Sequence, residues 1–304
     1  MADRIYRTVI AMILIISWPV LANGATIFSD NFDSCTVGCV AGTTPPNKPS
    51  VGRWADWVSK DSASAVTVDG VTHHPGEISY PGRGGTGKSL KIWRNGSLWS
   101  GNGGYAGVLY PTQWSPQRHV FMRFWMKIPV AFDVHNAYNM KFFRFITNGN
   151  PDVVYVQINA SQSGWTRDNG EFQISDNFIH PWQKDWPWVT LLNNSEMKTK
   201  MWDGNWHCHE FELDLDNNIF RYWVDDNLQY SNTNWVWNLQ GGITWINHFN
   251  LGNQIDGAYF QTGWQAMDMD DIVLSTTRVG LGAGGAEPPP LAKQPSPPVN
   301  IKLR

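Results

Sequence analysis

An all-β chain folded as an antiparallel β-sandwich is what the sequence predicts, and three observations carry that prediction. Successive segments (89–94, 119–128, 139–146, 153–159, 171–174, 209–215, 219–224, 246–251 and 266–276) alternate apolar and polar residues with period two, as a strand with one buried face does. Between them lie Asp-Gly, Asn-Gly and Gly-Gly pairs, which reverse a chain in few residues. No window sustains apolar residues at i, i+3, i+4 and i+7 with a cap at each end. Strands at this spacing argue for a sandwich or jelly roll, and the lack of an internal repeat disfavours propellers and solenoids.

Taken from its start, the chain places Arg4 and Arg7 before an apolar-leaning run over 9–21, followed by the small residues Ala22, Gly24 and Ala25. That is the pattern of a secretory signal peptide over 1–24, so a secreted or periplasmic protein is expected. The run is short of the roughly 20 residues that a membrane span needs, and no membrane association is expected. A jelly-roll domain is assigned to 25–281. From 282 to 304, where Pro288, Pro289, Pro290, Pro295, Pro297 and Pro298 crowd together, a flexible tail is expected, or else the stub of a following β-module. One domain of this size suits a monomer.

Net charge is −3 with 16% charged residues, so no basic field draws nucleic acid or an anionic membrane. A neutral polymer, or one gripped by a few local cations, fits better. Among three cysteines, Cys35 and Cys39 are close enough in sequence for a small disulfide loop in an oxidising compartment, leaving Cys208 as a free thiol.

One hairpin is legible outright. Phe211, Leu213 and Leu215 share a strand face, Asp216-Asn217-Asn218 turns the chain, and Phe220, Tyr222 and Val224 follow on the return. The run WDGNWHCHEFELDLDNNIFRYWVDDNLQY, with the later NHFNLGN and the closing MDMDDIVLSTTRVG, resembles the concanavalin-like lectin and glucanase superfamily. Within it the chain is most similar to polysaccharide-lyase-type jelly rolls, over roughly residues 85 to 280. The resemblance implies an enzyme that cleaves an acidic (uronate) polysaccharide by β-elimination without a catalytic cofactor. A non-catalytic lectin-like module and a glycoside hydrolase are the alternatives, because these folds host all three.

Polar rows on three strands are candidates for a cleft floor: Arg123, Trp125 and Lys127; Tyr155, Gln157 and Asn159; His248 and Asn250. They are either solvated outer faces or a convergent site. Uronate elimination needs an amide or cation to neutralise the carboxylate as charge grows on it, and a histidine or tyrosine to take the C5 proton. Gln157-Ile158-Asn159 resembles the Gln-Ile/Val-His strand motif of alginate lyases with asparagine in the histidine's place, and 249–252 with Tyr259 loosely resembles their YFKxGxY element. The resemblance therefore implies Arg123 and Gln157 at the carboxylate, with His248, Tyr155 or Tyr259 moving protons.

Other features divide between function and framework. Trp182, Trp186 and Trp188 crowd one proline-punctuated loop and suit stacking on sugar faces. Glu210, Glu212, Asp214 and Asp216 line one strand face, either wet or a nonstandard hydrolytic pair. Members of the superfamily often hold a structural calcium on the convex side, and Asp30 and Asp270, near Asp33, Asp268 and Asp271, are the candidate ligands by that resemblance. Gly82 to Ser89 matches the phosphate-loop pattern GxxxxGK[ST], yet it opens into an alternating strand rather than a helix, so a glycine-rich turn is expected. His207 and His209 supply too few ligands for zinc.

Overall fold

The computed structural model of the chain describes residues 26–34, 38–39, 66–68, 70–73, 76–94, 105–109, 117–132, 139–147, 153–160, 170–175, 188–235, 246–256 and 265–282. The expected signal peptide, the tail after 282, Trp182, Trp186, Tyr259 and the pairing of Cys35 with Cys39 lie outside the described residues.

With strands numbered in chain order, a nine-stranded sheet runs β15 (Asn227–Asn232), β14 (Ile219–Val224), β13 (Trp206–Asp214), β8 (His119–Lys127), β17 (Gln265–Ser275), β6 (Ser89–Arg94), β5 (Gly76–Ser79) and β2 (Gly38–Cys39), with β1 (Thr26–Asp30) also on β17. A six-stranded sheet runs β12 (Trp188–Leu192), β11 (Gly170–Ser175), β10 (Val153–Ala160), β9 (Asn139–Thr147), β16 (Ile246–Asp256) and β7 (Tyr105–Leu109). A separate ribbon pairs β3 (Val66–Val68) with β4 (Val71–His73). Antiparallel pairing holds in both large sheets, as the alternation predicted.

The sheets meet across a dry layer. Val120, Met122, Phe124 and Met126 of β8, Phe211 and Leu213 of β13, and Phe220 and Tyr222 of β14 all turn into one core. Phe172 and Ile174 of β11 and Leu192 of β12 enter it from the other sheet. The Phe172 ring lies 6.3 Å from Phe211 and 5.6 Å from Tyr222, so the two sheets stack face to face as a β-sandwich.

Local turns follow from side-chain chemistry. Asp214 pairs with Ile219 across the expected hairpin, and its Oδ1 accepts the amides of Asp216 and Asn217, each at 2.9 Å, while Asn218 takes φ 56°. The next reversal uses only Asp225 and Asp226, at φ 48° and 67°, left-handed values that fit a two-residue hairpin. Arg83–Gly85 forms one 3-10 turn ahead of β6, the glycine-rich turn foreseen for that segment. One element escaped the pattern: α1 (Asn194–Lys200), whose N-terminus is closed by a capping box between Asn193 and Glu196. In β17 a bulge at Asp271, φ 47°, turns both Met269 and Ile272 to the core.

A histidine between two carboxylates pins each end of β13. At its start His207 Nδ1 lies 2.7 Å from Asp225 and Nε2 3.1 Å from Asp203. At its end His119 Nε2 lies 3.0 Å from Glu212 and Nδ1 3.6 Å from Asp214. A ring facing carboxylates at both nitrogens donates from both only as imidazolium. Burial opposes charge on His207, but the bonds to Asp225 and Asp203 outweigh it and raise the pKa above 6.5. For His119 the Glu212 bond is the main cause of a raised value. On the acids, burial pushes upward and is outweighed by these bonds and by neighbouring amides, holding Asp203, Asp225 and Asp214 below 3.8 and Glu212 below 4.5.

The signs then fix a window. The histidines stabilise fully below 6.5 and progressively less as pH rises through their raised values, and the acids stabilise above 4.5 and less as pH falls through their lowered ones. The urea midpoint is expected to be highest between 4.5 and 6.5, with the alkaline limb flattened in His207→Gln. An unchanged alkaline limb in that variant contradicts the clamp.

Candidate functional site

Because Phe172 and Ile174 enter the core, Glu171 and Gln173 between them occupy the opposite, outward face of the six-stranded sheet. Cross-strand partners share a face, and Gln173 pairs with Gln157 on one side and Thr190 on the other. Positions 155, 157 and 159 therefore fall on the outward face. The ladder continues from Gln157 to Lys141 and from Lys141 to Gln254, giving a polar row across five strands. A second row joins Tyr155, Arg144 and Asn250, and a third joins Val153, Ile146 and His248.

A bulge makes this possible. Between Val156/Phe143 and Gln157/Lys141 the β9 strand carries one additional residue, Phe142, so Lys141 and Arg144, three apart in sequence, reach the same face. Strict alternation would have split them. Neither cation was singled out from the sequence, where NMKFFRFIT reads as one alternating strand.

With strands about 4.8 Å apart and about 3.3 Å per residue, Tyr155 stands about 5 Å from Arg144 and about 7 Å from Gln157, backbone to backbone. On the same scale His248 is about 12 Å from Tyr155 and about 16 Å from Gln157. The structure thus brings Gln157, Tyr155, Asn159 and His248 to one face, with His248 at its far end. Position 144, not 123, puts an arginine on this face.

At the β12 side of the face the described side chains form a chain of bonds. Gln173 Nε2 donates to Glu171 Oε2 at 2.8 Å and to Thr190 Oγ1 at 3.3 Å, and Thr190 Oγ1 donates to the same Glu171 oxygen at 2.8 Å. Gln173 is 8% exposed, and its Oε1 is buried without a partner. An unpaired buried acceptor costs about 1–3 kcal/mol.

No family model and no curated protein matches the chain. Among solved structures it is similar to an endo-β-1,4-glucuronan lyase from the fungus Trichoderma reesei, at 15% identity over 66% of this chain and 87% of the other, TM-score 0.44. It is also similar to alginate lyase Aly36B, solved with an alginate trisaccharide, at 13% identity over 83% and 99%, TM-score 0.49. A third is the cellulose-induced protein Cip1, at 17% identity over 84% and 100%, TM-score 0.47.

The expectation that Arg123, Trp125 and Lys127 join Gln157 and His248 is corrected. Strand β8 belongs to the nine-stranded sheet, where Arg123 pairs with Glu210 and Trp125 with Cys208 and Asp270, and the core separates this face from the polar rows. The segment 276–282 covers it. Glu210 accepts the amides of Val279 at 2.6 Å and Gly280 at 3.1 Å. Leu281 packs on Trp125, Trp206 and Cys208, and its carbonyl lies 3.5 Å from Arg123 Nη1. Arg83 lies 4.3 Å above the Trp125 ring, leaving that tryptophan 2% exposed and closed to a sugar.

The acidic row of β13 is neither wet nor free for hydrolysis. Glu212 is bonded to His119 at 3.0 Å and Arg221 at 2.8 Å, and Asp214 closes its turn. Burial raises the Glu210 pKa against the bonds from Val279 and Gly280. Cys208 is free, as read from the sequence; it is also buried, and burial pushes its thiol up to about 12. His209 sits in the core, its Nδ1 2.7 Å from the Tyr222 hydroxyl.

Asp30 and Asp270 do not share a face. Asp30 pairs with the core residue Ile272 and bonds the Phe32 amide at 2.9 Å, whereas Asp270 pairs with Trp125 outside and bonds the Arg83 amide at 3.0 Å. Burial raises Asp270 to about 7. Among the described residues the one trio whose ligand atoms fit within 4.8 Å is His119, Glu212 and Asp214. Its charge is already balanced by Arg221 and by the imidazolium.

These contacts assign Glu210 to holding the 276–282 segment. Glu210→Ala is expected to lower the unfolding free energy by about 1–3 kcal/mol in urea titration. Glu210→Gln, which keeps an acceptor oxygen for those amides, is expected to lose less than Glu210→Ala in the same titration, and equal losses contradict the assignment.

Proposed function

We propose that the chain is an exported, polysaccharide-active protein that cleaves a uronate polymer by β-elimination on the outward face of the six-stranded sheet. The observation that carries this is the register that puts Lys141, Arg144, Tyr155 and Gln157 on adjoining positions of one face. Cations and an amide there suit the carboxylate of a uronate, whose charge grows as the C5 proton leaves. A tyrosine on the same face is a group able to take and return a proton.

In this reading Arg144, Lys141 and Gln157 hold the carboxylate and Tyr155 takes the C5 proton. The electron pair forms the C4–C5 double bond, the C4–O4 bond breaks, and Tyr155 returns the proton to O4. His248 stands too far along the face for this step and is assigned to the glycan further on. Asn159 lies at the other end of the same strand face, opposite Glu171. The charge requirement favours an acidic over a neutral polymer.

Incubation with a panel of uronate polymers is expected to release a product with the absorbance of a conjugated C4–C5 double bond. Tyr155→Phe should lower kcat by about 100-fold or more while the polymer is still retained on a native gel. Silence across the panel overturns the lyase reading. Retention without turnover would leave a binding module, for which the Trp182–Trp188 loop is the sequence's candidate.

A further inference from the structure

We propose that Gln173, oriented by Glu171 and Thr190, reads a free sugar hydroxyl in a subsite next to Gln157 on the β12 side, an inference that rests on the glycan lying across this face. Carboxylate oxygens only accept hydrogen bonds. Glu171 therefore fixes which end of the Gln173 amide faces it: the nitrogen, whose bonds go to Glu171 at 2.8 Å and Thr190 at 3.3 Å. The hydroxyl of Thr190 spends its own proton on Glu171. What remains is Gln173 Oε1, an acceptor in a side chain 8% exposed, with no partner.

Buried acceptors without partners are rare in folded proteins and need a reason. A glycan crossing the strands along the row Thr190, Gln173, Gln157, Lys141, Gln254 supplies one, because sugar units follow one another at about the strand spacing.

The chemistry also excludes. An acceptor beside a carboxylate repels a uronate carboxylate or a sulfate, so the cationic positions and this one divide the sugar between them. Acetylation of the hydroxyl removes its proton and with it the bond. The subsite therefore distinguishes free from O-acetylated polymer, a preference that Lys141 and Arg144 cannot provide.

The test compares the full chain with Gln173→Met in native gels containing a polyuronate or its O-acetylated form, alongside thermal unfolding and steady-state kinetics. The parent chain should bind the free polymer about tenfold more tightly than the acetylated one, and Gln173→Met should bind both alike. KM should rise with kcat preserved, the signature of lost ground-state contact. Tm should hold or rise, because a lone acceptor gives way to an apolar chain of similar length.

Equal retention of free polymer by both proteins overturns the subsite, as does a parent chain indifferent to acetylation. A fall in Tm with unchanged retention assigns Gln173 a structural role instead. If no unsaturated product forms yet the retention difference stands, the lyase reading fails and the subsite survives. Failure of the parent chain to bind any polyuronate overturns both.

Discussion

Everything in this molecule is arranged around keeping one layer dry. Phe172 from the six-stranded sheet and His209, Phe211 and Tyr222 from the nine-stranded sheet close on each other, the stacked pair Phe211 and Tyr222 at 4.7 Å. Once those rings face inward, the period of the strand sends every alternate residue outward, and each sheet acquires a polar back. The two backs differ in fate. On the nine-stranded sheet the chain's own segment 276–282 lies across the polar row, with Arg278 reaching Glu210 at 3.4 Å and stacking over Trp223 at 4.6 Å. On the six-stranded sheet the register gathers the polar positions 155 and 157 with 141, 144, 250 and 254.

Much of this was legible in the sequence. Alternation gave β8, β10, β13 and β14 with the correct faces, and the hairpin at Asp216 followed from turn chemistry. Alternation says that a strand has two faces and does not say which sheet it joins. Arg123 and Gln157 looked equivalent for that reason, and only the long-range pairing of β8 with β13 and β17 parts them. Bulges were the second blind spot. Phe142 in β9 and Asp271 in β17 each add one residue to a strand whose letters give no sign of it, and each changes which polar residues stand together. The Lys141 and Arg144 pair was hidden by the first. The helix α1 was hidden by length: seven residues are too few for an i to i+7 pattern, although Asn193 and Glu196 spell its cap.

In β13 every buried acid is answered by a defined donor: Glu210 by two backbone amides, Glu212 by His119 and Arg221, Asp214 by the Asp216 amide and the Asn217 side chain. Such groups are spent, and a spent carboxylate does no acid–base work. Gln173 differs because its nitrogen is over-determined and its oxygen is left idle. Idle polarity held in a fixed orientation is what distinguishes a recognition surface from framework.

The segment that covers Arg123 also decides from which side the chain departs. Gly282, with φ 77°, stands against the Arg123 guanidinium, where a Cβ would come within 3.4 Å of Nη1. The last described residue is thus on the back of the nine-stranded sheet, a full sandwich thickness away from the rows of the other sheet. A side chain at 282 would press on that guanidinium, so the cover over Arg123 depends on this glycine.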